Sequence, residues 1–250
     1  RELGDQAGAV VPLHERLAQT GVEDFRRRKG MTDLAMRQDG VGFTVYRADE
    51  GIERVWPMDP VPRIIPAVEW RRIEEGLVQR LTAINLFLWD VYHEQHILRD
   101  GIVPPRLVLQ GSSFRREFVG ADPPRKIYVH VCGTDLIRGA DGRYLVLEDN
   151  ARTPSGVSYM LQNRQVIKQV FPSFFNDYDV LPNDDYPAAL LEVLQFIAAP
   201  SASQPTVVLL SPGMYNSAYF EHSFLAQRMG IELVEGRDLL VDGNRVFMRT

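Results

Sequence analysis

Glu148, Asp149 and Asn150 follow directly on the apolar run Tyr144-Leu145-Val146-Leu147, inside the stretch LEDNARTPSGVSYM. Arg152 comes two positions later, and Pro154-Ser155-Gly156 then opens an expected helix. Upstream, KIYVHVCGTDLIRGADGRYLVLEDN reads as two long strands joined at Ala140-Asp141-Gly142. Asp-Gly between apolar strands signals a two-residue type I′ turn. With Asp141 and Gly142 central, Ala140 faces Arg143, and paired residue numbers keep a constant sum of 283. Asp135 then lies opposite Glu148. Asn150 shares that face because strand side chains alternate, and Arg152 follows if the strand persists. Three hard oxygen donors on one ribbon suit magnesium, which takes one or two carboxylates and leaves its other positions to water and phosphate. Opposed like charges in a sheet are unfavourable, and a divalent cation removes the conflict. A one-residue slip would put the two carboxylates on opposite faces. The plainer alternative is a set of ordinary polar residues at a strand end.

The surrounding elements must hold that ribbon. Residues 1–40 read as polar helix, with a basic knot at Arg26-Arg27-Arg28-Lys29 taken as a solvated face. GFTVYR reads as a short strand, and VWPMDPVPRIIP, with four prolines, as an extended connector. From Pro66, apolar residues at Val68, Ile73, Leu77, Leu81, Ile84, Leu88 and Val91 describe one buried stripe of a long helix, punctuated by Asp100-Gly101. RLVLQ reads as a strand, and helices are expected at about 156–171 and 186–198. After APSASQP, the order TVVLLS, PGMYN, SAYFEHSFLAQRMG and IELVEG predicts a βαβ unit and the start of a parallel sheet. The expected class is α+β / α/β, in three parts. Residues 1–40 are a helical segment, 41–202 an antiparallel-rich part carrying the metal ligands, and 203–250 the start of a Rossmann-like βαβ domain.

Composition narrows the functional classes. With 250 residues, 45% hydrophobic and 24% charged, the chain supports a packed core. A net charge of -5 argues against nucleic acid as a partner. One cysteine, Cys132, excludes an intrachain disulfide and fits a reducing compartment. No apolar run approaches the length of a membrane span. The polar start RELGDQAGAV lacks the apolar segment of a secretory signal, so a cytoplasmic location is expected. An opening on Arg1 and a close inside the strand-like NRVFMRT suggest a piece of a longer polypeptide.

Three segments carry a resemblance: ERVWPMDPVPRIIPAVEW, GTDLIRGADGRYLVLEDNARTPSGVSYMLQNR and PGMYNSAYFEHSFLAQRMGIELVEGRDLLV. Together they resemble the circularly permuted ATP-grasp family (type 2), related to the synthetase part of glutathionylspermidine synthetase, over about residues 40–250. The resemblance implies ATP and Mg2+ as cofactors, with Asp135, Glu148 and Asn150 as metal ligands. It implies ligation through an acylphosphate, with small-molecule or peptide carboxylate and amine (or thiol) substrates. Arg152 is the candidate catalytic arginine. The lysines that contact the nucleotide in the family have no evident match among Lys29, Lys126 and Lys168. They are expected after the parallel-sheet part.

Other candidates are weaker. Arg115, in SSFRREF, could bind a substrate carboxylate or be part of a plain surface pair with Arg116; Ser155 is a further substrate-binding candidate, and the resemblance implies that the loop bearing Asn216 lines the substrate cleft. The loop SPGMYNSA enters a helix N-terminus but carries no nucleotide fingerprint. His93 and His96 in YHEQH lack zincin spacing. His130 and His222 have no evident Ser or Cys partner in the sequence, and Cys132 reads as a small buried side chain. Two further classes stay open: a non-catalytic ATP-grasp-derived binding module, and a metal-dependent phosphohydrolase, which would need additional Asp or His ligands. The sequence leaves the oligomeric state open.

Overall fold

The structure, a computed structural model, describes residues 2–47, 50–198 and 205–249. In chain order its main elements begin with α1 (Glu2–Thr20), α2 (Val22–Gln38), β1 (Gly42–Arg47), β2 (Glu50–Val55), α3 (Ala67–Tyr92), α4 (His96–Arg99) and α5 (Pro105–Leu109). There follow β3 (Gly133–Arg138), β4 (Tyr144–Asn150), α6 (Val157–Val170), α7 (Ser173–Asn176), α8 (Tyr186–Phe196), β5 (Val208–Leu210), α9 (Tyr219–Met229), β6 (Glu232–Val234), β7 (Leu239–Asp242) and β8 (Arg245–Met248). Among the described residues all four sheets are two-stranded. The protein is therefore mixed α and β with small, mainly antiparallel sheets. Two compact units divide it, one built on Ile65–Pro154 and the other on Gly4–Ile64 with Ser155–Thr250. The expected boundary at 203 falls among residues 199–204, outside those described.

In the first unit α3 is the support. Pro66 caps its start in extended conformation, as proline before a first turn should. It ends at Tyr92 rather than at Asp100, and the reason is Asp90. The Asp90 carbonyl accepts Gln95 N–H at 2.7 Å, and the Asp90 carboxylate accepts the N–H groups of His96 at 2.9 Å and Ile97 at 3.0 Å. This stops one helix and caps the next, so Asp100-Gly101 closes α4 instead. Tyr92 is buried and stacks on Phe114 at 5.1 Å and Tyr128 at 5.5 Å.

Two strand expectations in this unit are corrected. RLVLQ lies within and just after the short helix α5, whose start at Pro104-Pro105 presets helical φ. The segment from Lys126 to Cys132 is not a strand either. The Asn85 side-chain oxygen on α3 accepts the N–H groups of Tyr128 at 2.7 Å and Val129 at 2.9 Å. A helix side chain thus takes the donors that a ladder would have used, and β3 begins only at Gly133.

The second unit holds the larger core. Leu13 and Met36 on α1 and α2 join Val166, Ile167, Val170, Phe171 and Phe174 of α6 and its continuation, with Met58 from the proline-rich connector. Trp56 stacks on Tyr159 at 4.0 Å, and the Tyr159 hydroxyl donates to the Gly42 carbonyl at 3.0 Å. The basic knot behaves as a helix face: Arg27 and Arg28 pair with Asp24, Lys29 pairs with Asp33, and Arg28 also donates to the Val170 carbonyl. β5, α9 and β6 form the expected βαβ unit, with β5 and β6 parallel. No third parallel strand joins them among the described residues. The following hairpin, β7–β8, turns at Gly243 and Asn244, with φ of 51° and 59°. Positive φ at both central residues is the type I′ signature.

Candidate active site

The β3–β4 ribbon reaches the expected pairing by an unexpected route. Gly139 N–H donates to the Arg143 carbonyl at 2.8 Å, and Gly142 N–H to the Gly139 carbonyl at 3.0 Å. Gly142 has φ of 81°, whereas Asp141 is not in the positive-φ region. The connection is therefore a three-residue loop, Ala140-Asp141-Gly142, and not a type I′ turn. Glycine at the left-handed position is what such a loop requires, and the Asp141 carboxylate steadies it by accepting Arg143 N–H at 3.1 Å. Next to the loop, Arg138 faces Tyr144 and Leu136 faces Val146, so paired numbers sum to 282. Beyond a shift between Asp135 and Leu136, Asp135 faces Glu148 and Gly133 faces Asn150, and the sum is 283. Leu147 is the extra residue, a β-bulge in β4.

The bulge sorts the side chains onto two faces. Asp135, Glu148 and Asn150 are all exposed, with Asn150 Nδ2 donating to Glu148 Oε1 at 3.4 Å. Thr134 and Asp149 turn toward α3. Thr134 Oγ1 donates to Asp149 Oδ1 at 2.9 Å, and Arg80 Nε donates to Asp149 Oδ2 at 2.7 Å. The Arg80 guanidinium, helped by the Thr134 hydroxyl, holds the Asp149 carboxyl below the ordinary carboxylate range against a smaller opposing effect of burial. Asp149 is thus the anchor of the strand end, and its neighbours on either side form the open face. Neither Arg80 nor Thr134 stood out in the sequence; only the alternation of Glu148, Asp149 and Asn150 hinted that the middle residue would point inward.

Gly133 completes the ribbon's geometry. A Cβ added there would lie 2.8 Å from Pro154 Cβ and 3.8 Å from Asn150 Cβ. The chain leaving β4 folds back over this position, where only glycine leaves room. A groove of about 570 Å³ lies on the inner side of the ribbon, between β3–β4 and α3, lined by Glu69, Ile73, Arg80, Arg138, Tyr144 and Val146 among others. Asp135 and Glu148 do not line it.

The remaining candidates separate. Arg152 sits in a bend past the end of β4, exposed, so it does not continue the strand face. Arg115 is exposed, and its N–H donates to the Tyr92 hydroxyl at 3.1 Å. Ser155 is exposed just before α6, and Asn216 Oδ1 accepts Ala218 N–H at 2.9 Å in the loop before α9. Ser155 and Asn216 belong to the second unit, and the other candidates to the first. His93 stacks on Trp89, while His96 pairs with Asp90 at 3.0 Å. His222 does have a partner, contrary to the sequence reading: its Nδ1 lies 2.9 Å from Ser211 Oγ. The two are joined across β5 and α9, a contact that linear spacing does not reveal. Each lysine is occupied elsewhere: Lys29 with Asp33, Lys126 over the Trp89 ring, and Lys168 with Asp184 at 3.3 Å.

Among the described residues no group of three or more His, Cys, Asp or Glu side chains could hold a metal ion. The exposed trio is a different set, two carboxylates and one amide. Among the described residues neither Asp135 nor Glu148 has an ion-pair partner, although the two face each other directly. Opposed carboxylates with no cation of their own, plus an adjacent amide oxygen, match the hard-oxygen donor set of magnesium.

A model of the circularly permuted ATP-grasp type 2 family matches residues 62–250. The chain belongs to that family. Its similarity to curated proteins extends further along the sequence. An uncharacterized protein of Synechocystis sp. is 47% identical over 247 residues, covering 99% of this chain and 51% of that protein. One from Mycobacterium tuberculosis is 47% identical over 243 residues, covering 97% of this chain and 43% of that protein. A Frankia casuarinae protein provisionally named glutamate–cysteine ligase 2-2 is 41% identical over 257 residues, covering 99% of this chain and 29% of that protein. The ATP-grasp chain thus spans about half the length, or less, of the curated relatives it matches. No helix of the described residues is long and apolar enough to cross a membrane.

Proposed function

We propose that the whole protein is a Mg-ATP-dependent carboxylate–amine (or thiol) ligase of the glutathionylspermidine synthetase kind, acting in the cytoplasm on small-molecule or peptide substrates. The observation that carries this reading is the exposed Asp135–Glu148 pair, with Asn150 alongside and no ion-pair partner among the described residues, in a chain of the ATP-grasp family. The Frankia name belongs to the same reaction class, since glutamate–cysteine ligation joins a carboxylate to an amine. It supports the class and leaves the substrates open. In the same reading, residues 41–202 carry the metal part of the site, and 203–250 begin a Rossmann-like domain.

The reaction proceeds in two balanced steps. A substrate carboxylate oxygen attacks the γ-phosphorus, the bond from that phosphorus to the bridging oxygen breaks, and ADP leaves. The amine nitrogen then attacks the acyl carbon of the acylphosphate, inorganic phosphate leaves, and the nitrogen loses its proton. Bound magnesium supplies charge neutralisation for the phosphate oxygens. Asp135, Glu148 and Asn150 would hold that charge at one place on the β3–β4 ribbon, which is mostly what phosphoryl transfer asks of a protein. Arg152, exposed beside the ribbon's end, adds positive charge for the transferring group. Arg115, Ser155 and Asn216 are assigned to substrate binding.

Calorimetric titration of Mg-ATP into the full-length protein tests the reading. Magnesium-dependent binding that weakens at least about tenfold in Glu148→Gln is the expected result. Absence of nucleotide binding by the full-length protein would leave the non-catalytic binding module in front.

A further inference from the structure

Among the described residues five polar or charged side chains are buried: Thr32, Ser158, Gln162, Ser211 and Glu221. Two are satisfied away from α9, Thr32 donating to the Arg28 carbonyl in its own helix and Gln162 donating to Asp39. The other three meet at α9. Glu221, 6% exposed, accepts Gly156 N–H at 2.7 Å and Ser158 N–H at 3.3 Å through Oε2, while Ser158 Oγ contacts the Glu221 carbonyl at 3.5 Å. The next residue, His222, bonds through Nδ1 to Ser211 Oγ, which also accepts Gly213 N–H at 3.1 Å. Ser211 is tied to β6 by its own N–H, which donates to the Val234 carbonyl at 2.8 Å.

This arrangement is costly and not needed for helix capping alone. Burying a carboxylate without a cation is unfavourable unless its oxygens are fully hydrogen-bonded. Among the described residues Glu221 has no ion-pair partner and relies on the free N–H groups at the start of α6. A Ser, Thr, Asp or Asn at the N-cap would cap the same helix locally. Here the N-cap is Gly156, φ 106°, and the cap comes from a residue 65 positions away. Two adjacent residues of one helix turn therefore grip two loops. Glu221 grips the loop that bears Ser155, and His222 grips, through Ser211, the loop Pro212–Asn216.

We infer that Glu221 and His222 are positioning residues, which fix the Ser155 loop and the Asn216 loop to one another as the two walls that receive the carboxylate and amine substrates. The inference rests on the ligase reading for what the walls receive, but the coupling of the loops stands apart from it. Glu221 acts through backbone N–H groups and touches no reacting atom. Its loss frees the Ser155 loop directly and reaches the Asn216 loop through the neighbouring His222 on the same turn of α9.

The test uses the full-length protein with Glu221→Ala, Glu221→Gln and a core control, Val166→Ala, at a residue that packs in the same unit without polar contacts. Hydrogen exchange is followed at amides 155–159 and 213–219, alongside Mg-ATP affinity by calorimetry and ADP release with L-glutamate and L-cysteine as probes. Glu221→Ala is expected to speed exchange in both segments and to slow turnover at least about tenfold, while Mg-ATP affinity stays within about threefold. Glu221→Gln keeps an acceptor oxygen and should recover part of both losses. Val166→Ala, compared at equal loss of melting temperature, should leave the split between turnover and affinity unchanged. Faster exchange in the Ser155 segment alone, or turnover and affinity falling together as in the control, overturns the inference. A wild-type protein that binds no Mg-ATP removes the ligase reading, and the exchange comparison then decides the coupling alone.

Discussion

Asp135 faces Glu148 across β3 and β4, with Leu147 bulged out between Glu148 and Val146. Had the ladder kept the register set at the loop, Asp135 would face Leu147, and Glu148 would turn toward α3. The bulge costs one exposed leucine and returns the carboxylate to the open face.

Glu148→Gln should move stability and nucleotide binding in opposite directions. Without metal it removes one of two opposed negative charges, so thermal or urea unfolding should show a gain of roughly a few tenths of a kcal/mol. Magnesium-dependent ATP binding by the full-length protein should fall. A loss of stability in the metal-free variant would refute the view that the two carboxylates are in conflict without a cation.

Deleting Leu147 tests the bulge directly. Both flanking pairs, Leu136 with Val146 and Asp135 with Glu148, can survive in a regular ladder. The leucine is 62% exposed, so little burial is lost. Magnesium-dependent ATP binding is expected to persist. Its disappearance would mean that the bulge sets side-chain direction and not only the register.

Asp149→Ala should cost about 1–3 kcal/mol of stability, because it strands the Thr134 hydroxyl and removes a charge-assisted bond at a side chain only 13% exposed. The pH dependence has a definite sign. Arg80 depresses the folded carboxyl, so the contribution is complete above the ordinary unfolded value of about 3.9 and is lost as pH falls through the lower folded value. Denaturation midpoints between pH 2 and 6 should converge for wild type and variant only at the acid end.

His222 gives a second pH test at a different place. Burial holds its imidazole below the usual range, with Glu221 opposing, so the neutral ring is the folded form, hydrogen-bonded through Nδ1 to Ser211 Oγ. Its contribution is full above about pH 6.5 and is lost as pH falls through the lower folded value. Unfolding midpoints from pH 8 to 5 should drop in the wild type and stay flatter in His222→Gln. Equal slopes would show that another group titrates.

Two glycine substitutions should have opposite signs. Gly133→Ala puts a Cβ 2.8 Å from Pro154 Cβ and should destabilise by about 1–3 kcal/mol. Gly76→Ala in α3 meets nothing within 4 Å and should stabilise by roughly 0.5–1 kcal/mol through helix propensity. Thermal melts of the two variants suffice to check both.

The sequence by itself determined what depends on near neighbours. Periodicity placed α3, the order of apolar runs placed β5, α9 and β6, and turn residues marked the ribbon. The residue types of Asp135, Glu148 and Asn150 pointed to oxygen-donor chemistry, and their shared exposed face agrees with the alternation. Tertiary structure decided whatever depended on competition for backbone groups. Asn85 took the donors of Tyr128 and Val129 and shortened β3, and Asp90 ended α3 eight residues before Asp100. At the hairpin, two departures from the simple pattern, a three-residue loop and a bulge at Leu147, offset each other and leave Asp135 opposite Glu148. The buried Glu221 link had no local signal, because its partners lie 63 and 65 residues away and meet only when α9 packs beside α6. Local propensities act over a few residues, whereas a register or a buried charge is settled by which distant groups reach it first.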